Sequence, residues 1–191
     1  MLYVVGALEG VTQLDDIVYV VRYKSPIIEM YSVDTLSPLG EGIHVEGMKH
    51  PRDIVACQRD RQLYVADYNY GIWRVSTKDK SFVKWLPTES ATQKFRVETL
   101  LSLTSQGLLV ASFHPPALRE YSTENGEPMR HVTLPQYMWQ LYHAVETTHG
   151  RFVMSHQGTS ERRGKDAVSE LFRFCHTLTA ASSLYKYIDI K

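Results

Sequence analysis

The sequence predicts an all-β protein built as a β-propeller of about four blades, each with four antiparallel strands. Two observations carry this. Four short apolar β-type runs recur along the chain: Tyr19-Val20-Val21-Arg22, Tyr64-Val65-Ala66-Asp67, Leu109-Val110-Ala111-Ser112 and Phe152-Val153-Met154-Ser155, at steps of 45, 45 and 43 residues. A period of about 40–50 residues holding several strands per unit is the signature of propeller blades. No segment shows a sustained helical period. Residues 137–146 could pass as one short helix, but the repeat phase assigns them to a strand.

Each marker run has partners at a fixed phase. A second run follows it: Ile27-Ile28-Glu29-Met30-Tyr31, Ile72-Trp73-Arg74-Val75, Leu118-Arg119-Glu120-Tyr121 and, later, Leu171-Phe172-Arg173-Phe174. Apolar and charged residues alternate in the last three, as in a strand with one packed face. The first three end in the same turn chemistry, beginning at Ser32, Ser76 and Ser122. Ser, Asp and Asn favour turns because their side chains bond nearby backbone amides. Ahead of three markers lies another apolar run, at 53–57, 98–103 and 141–145, with Gly107 and Gly150 in the connecting turns. Outer strands are expected at 42–46, 81–85 and 129–134. The blades are thus placed at 8–50, 51–96, 97–137 and 138–191 of one domain spanning 1–191. Residues 1–7 add an N-terminal strand, which Glu9 ends. In the fourth blade a polar, glycine-flanked loop at 157–166 separates the second and third strands and reads as a solvated insertion.

Composition narrows the function. The chain carries 21 basic and 21 acidic residues, so no net charge steers it to nucleic acid or a membrane. Twelve Tyr, six Phe and three Trp suit half-buried strands. Cys57 and Cys175 lie far apart, in no metal-binding spacing, and read as two buried thiols rather than a disulfide. The apolar start is too short and wrongly flanked for a signal peptide or a membrane span. With no N-x-S/T sequon, this points towards a cytoplasmic protein.

The stretch Leu63-Tyr64-Val65-Ala66-Asp67-Tyr68-Asn69-Tyr70-Gly71-Ile72-Trp73-Arg74-Val75 resembles the NHL-repeat signature. That signature has a strand ending in V-A-D, a turn containing Asn, then an I-x-V/F strand. The preceding His50-Pro51-Arg52-Asp53-Ile54-Val55 is similar to the P-x-x-I-A/V opening of the same repeat. The third blade keeps the pattern but has Ser112 for the Asp and His114 for the Asn. The first and fourth have Arg22 and Ser155 at the Asp position. The resemblance implies an NHL-like propeller, a type that usually has six blades. Four blades then form either a complete small ring or an open piece of a larger one. An open ring would expose blade faces and favour self-association.

Equivalent loops of a propeller meet at one mouth of its channel. The residues just after the markers are Tyr23, Tyr68, Phe113 and His156, backed by Arg22, Asp67, Ser112 and Ser155. Aromatic rings backed by polar groups suit a peptide, a glycan or a base; the alternative is turn packing over the grooves between blades. The expected role is a non-catalytic binding or scaffold module with a protein or peptide partner, no cofactor and no membrane association. Two other readings follow from the resemblance. Some NHL-like enzymes hold a channel metal with a ring of His, which here would be His50, His114, His143 and His156, in a hydrolase or lyase. Other NHL propellers bind RNA on a basic face. The basic residues here alternate with acids, and the one dense group, Arg162-Arg163-Gly164-Lys165, is flanked by Glu161 and Asp166. No nucleophile motif or phosphate loop is present.

Overall fold

The computed structural model describes residues 6–68, 70–86, 101–113, 116–134, 138–147, 152–158, 174–178 and 187–188. The described residues form strands and turns without a helix. Among the described residues, sixteen strands make four four-stranded antiparallel sheets, each of four consecutive strands. The first holds β1 (Leu8–Leu14), β2 (Ile17–Arg22), β3 (Ile27–Ser32) and β4 (Ile43–His44). The second holds β5 (Pro51–Cys57), β6 (Gln62–Asp67), β7 (Gly71–Ser76) and β8 (Phe82–Leu86). The third holds β9 (Leu101–Leu103), β10 (Gly107–Phe113), β11 (Pro116–Ser122) and β12 (Pro128–Thr133). The fourth holds β13 (Met138–Glu146), β14 (Phe152–Gly158), β15 (Phe174–Leu178) and β16 (Tyr187–Ile188). The chain divides into two compact units, Met1–Leu101 and Ser102–Lys191.

The repeat is visible in the hairpins. The second strands begin at Ile17, Gln62, Gly107 and Phe152, a constant step of 45 residues. Val20, Val65 and Val110 each hold the fourth place of their strand and are buried. Val153 lies on the equivalent strand but holds its second place and is half-buried. Phe152 and Met154 set the buried face of β14, so Val153 points to the other. The serine turns also repeat. Ser32, Ser76 and Ser122 each donate their amide to the carbonyl five residues on and accept from the amide four residues on. That fourth residue has positive φ in all three turns: Leu36 at 51°, Lys80 at 60° and Gly126 at 78°. The left-handed region is costly for the first two, so the pairing of the flanking strands holds them there.

One expectation is corrected: Glu9 does not end a strand but lies within β1, Leu8–Leu14; residues 1–5 of the expected N-terminal strand lie outside the described residues. The polar pattern LEGVTQL hides this strand because only Gly10 and Leu14 of it are buried. Its pairing with β2, from Leu8↔Arg22 to Leu14↔Ile17, fixes it, closed by the Asp15-Asp16 turn with Asp15 at φ 52°. Of the expected third strand of the last sheet, 171–174, residues 171–173 lie outside the described residues; the described strand, Phe174–Leu178, is in register with β14. Of the expected final strand, 184–190, the structure assigns Tyr187–Ile188.

Within the first unit, Leu14, Tyr19, Val21, Ile28, Ile54, Leu63 and Val65 belong to one buried cluster drawn from both sheets. β1 runs close along β5. A Cβ on Gly10 would lie 2.9 Å from both the Asp53 Cα and the Ile54 nitrogen, so only glycine permits that approach. Thr12 Oγ1 accepts from the Ala56 amide at 3.1 Å. In the second unit Leu109, Ala111, Leu118, Phe152 and Met154 share a core. There Arg130 bridges Glu120 (2.8 Å) and Glu146 (3.3 Å) and lies over the Phe152 ring at 4.5 Å. Glu120 is 1% exposed while Arg130 is half-buried, so the acid of this pair is buried and its charge is met by the arginine.

Candidate functional site

The candidate site lies in the first unit, where β2 and β6 end and β5 begins. Asp67 closes β6 and is completely buried. Its carboxylate accepts from the Lys49 amide (3.0 Å), the His50 amide (2.6 Å) and the Trp73 indole Nε1 (3.0 Å). The Tyr68 amide donates back to the His50 carbonyl at 2.9 Å. One acid thus clamps the segment before β5 to the end of β6 and to the indole on β7. Arg22, one residue before Tyr23, is committed in the same way. Its Nε reaches both Glu29 oxygens at 3.0 Å, its Nη1 donates to the Gly6 carbonyl at 3.3 Å, and Tyr31 donates to Glu29 at 2.8 Å. Arg22 and Asp67 are therefore the supports of the surface rather than its contact groups.

On these supports stands a connected set of rings and cations. The Arg52 guanidinium lies over Tyr23 (5.1 Å) and over Tyr68 (5.4 Å), joining the two predicted aromatics. Tyr23 meets His50 edge-on at 5.8 Å, and His50 stacks on Tyr70 at 5.9 Å with a 12° interplanar angle. Lys24 lies over Tyr23 at 5.1 Å and Lys49 over Tyr70 at 4.9 Å. Glu9, from β1, pairs with Arg52 at 3.2 Å. His50 precedes β5 and Arg52 sits at the irregular register between Pro51 and Asp53, and both meet Tyr23 as the chain enters β5. All four tyrosine and histidine rings are half-buried, with Lys24 and Lys49 exposed.

Of the predicted ring, Arg22, Tyr23, Asp67 and Tyr68 come together here. Ser112 and Phe113 are the last two residues of β10, opposite Ala117 and Pro116. Ser155 and His156 lie inside β14 rather than after it, because that strand continues to Gly158. These four belong to the second unit. Among the candidate metal ligands, the His50 ring lies between Tyr23 and Tyr70, and His143 is exposed on β13. His114, Asn69 and the basic group at 162–165 lie outside the described residues. Among the described residues no group of three or more His, Cys, Asp or Glu is placed to hold a metal ion. Nor is any helix among them long and apolar enough to cross a membrane. Sequence reasoning missed Lys49, Arg52 and Tyr70 as surface groups. The His50-x-Arg52 and Tyr68-x-Tyr70 spacings were the available signal.

A separate, half-buried acid lies on β5, next to Arg52 in sequence. Asp53 accepts from the Ile54 amide (2.9 Å) and the Leu101 amide (2.7 Å). Burial pushes its pKa up to about 6, against the opposing pull of those two amides.

Comparison with known proteins places the fold. No family model matches the chain, and no curated protein does. Solved structures do match. The WD40 β-propeller domain of Doa1 aligns with TM-score 0.61 at 12% identity, over 78% of this chain and 48% of that one. The chain has a β-propeller fold. A chain of the nidogen/laminin complex aligns with TM-score 0.62 at 11% identity, over 91% of this chain and 60% of that one. A chain of Kuenenia stuttgartiensis hydrazine synthase aligns with TM-score 0.67 at 13% identity, over 91% of this chain and 51% of that one. The chain thus spans about half to three-fifths of the length of each of these structures.

Proposed function

We propose that the chain is a non-catalytic binding module of NHL-like type. It would engage a protein or peptide partner through the loops where β2 and β6 end. Residues 1–191 then form one propeller domain, with Tyr23 and Tyr68 among its contact residues. The observation that carries the proposal is the joined set Tyr68–Arg52–Tyr23–His50–Tyr70, held in place by buried Asp67. Tyr and Arg are enriched among the residues that dominate binding energy at protein interfaces, because they give large contact area with few rotatable bonds or with fixed donor geometry. The rings are already packed on one another, so little side-chain entropy remains to be lost on binding. A propeller chain in a nidogen/laminin complex supports the same class of role by fold analogy.

The test is capture from a cell lysate by the full immobilised chain, comparing wild type with Tyr23→Ala/Tyr68→Ala. The turn at the opposite end of β7 supplies the control, Lys78→Ala/Lys80→Ala. Specific partners should be lost from the tyrosine variant and kept by the control. Equal capture by wild type and the tyrosine variant would overturn the proposal.

A further inference from the structure

We propose that this surface selects an acidic peptide, a segment whose Asp or Glu carboxylates meet Lys24, Lys49 and Arg52; the proposal rests on the surface being a binding site. Charge complementarity carries it. Three cations stand on the surface, each held over a tyrosine ring at 4.9–5.4 Å. Three carboxylates belong to the site, and all are committed. Glu29 is held by Arg22 and Tyr31. Glu9 pairs with Arg52, and Asp67 is buried with its oxygens turned to three N–H groups. Among the described residues neither Lys24 nor Lys49 has a carboxylate partner. Each ammonium therefore has one side against an aromatic face and its N–H donors available to an incoming acceptor.

The rings decide between an acidic peptide and the other large polyanion, RNA. Single-stranded RNA is held by stacking its bases on free aromatic faces. Here Tyr23 is covered by Arg52, Lys24 and the His50 edge, Tyr70 by His50 and Lys49, and Tyr68 by Arg52. The faces are used to present cations, which suits carboxylates better than bases. The chain's formal net charge is zero, so it lacks the broad positive field that collects a polyphosphate. Carboxylates need only the local cations.

The experiment is fluorescence anisotropy with a fluorescein-labelled hexaglutamate peptide and the full chain, at low and near-physiological salt. Labelled hexauridylate is titrated in parallel. The proposal expects saturable hexaglutamate binding that weakens with salt. Lys24→Glu/Lys49→Glu should weaken it about tenfold or more, from two reversed contacts, while Lys78→Glu/Lys80→Glu changes it by less than about twofold. Thermal unfolding of each variant checks that these exposed positions leave the fold intact. Three results would overturn the proposal: no saturable hexaglutamate binding, binding indifferent to Lys24→Glu/Lys49→Glu, or tighter binding of hexauridylate. If hexaglutamate fails while lysate capture still depends on Tyr23 and Tyr68, the acidic class falls and the binding-module reading stands. If capture is also indifferent to those tyrosines, both fall.

Discussion

Asp67 is the residue on which the surface depends, and its removal has a calculable cost. Asp67→Ala deletes the acceptor of three hydrogen bonds, from the Lys49 and His50 amides and the Trp73 indole. Hydrogen bonds to a charged group contribute about 1.5–3 kcal/mol each. The three do not count equally. Lys49 is exposed and His50 half-buried, so water can recover part of the loss at their amides. The indole nitrogen of Trp73 belongs to a side chain in the buried core of the first unit and has no such substitute. The expected destabilisation is therefore about 3–5 kcal/mol, below the sum of three full bonds. Trp73→Phe removes one donor and keeps most of the ring volume, and should cost about 1–2 kcal/mol. The two changes share one bond, so the double variant should show a coupling of about 1–2 kcal/mol. Urea unfolding followed by far-ultraviolet circular dichroism reads all four stabilities. A loss under about 1 kcal/mol for Asp67→Ala, or strict additivity with Trp73→Phe, would refute the clamp.

Two further predictions concern the same unit. Gly10→Ala puts a Cβ 2.9 Å from the backbone of Asp53 and Ile54, and the same urea titration should show a loss of about 1–3 kcal/mol; an unchanged midpoint would show that β1 and β5 can separate freely. Asp53 has a folded-state pKa of about 6, above its ordinary value of 3.8, so the folded state holds this proton more tightly than the unfolded one. Its contribution is present in full below about pH 4 and is lost as pH rises through about 6, a fall of up to about 3 kcal/mol. Asp53→Asn, which keeps an acceptor for the Leu101 amide, should flatten the stability profile in that window; an unaltered profile would assign the titration elsewhere.

The repeat was legible because its signal is local. Apolar strand pairs and serine turns need only neighbours in sequence, and the 45-residue step of Ile17, Gln62, Gly107 and Phe152 emerges from them. β1 was not legible, since few of its side chains are buried and its register comes from β2. The site was half legible. Phase alone picks out Tyr23 and Tyr68, but the groups that join them come from elsewhere in the fold. Arg52 enters from β5, and His50 is drawn in by the carboxylate of Asp67, seventeen positions along the chain. Arg22 and Asp67 read as polar lining because sequence does not reveal that Glu29 and the Lys49 and His50 amides already occupy them.

The central claim is that a partner docks where β2 and β6 end. Photo-cross-linking tests it directly, with benzoylphenylalanine placed in turn at Tyr23, Tyr68, Lys78 and Phe82 of the full chain. The account predicts partner adducts from positions 23 and 68 and none from 78 or 82. Adducts confined to 78 and 82 would contradict it and move the docking surface to the other end and outer edge of the second sheet.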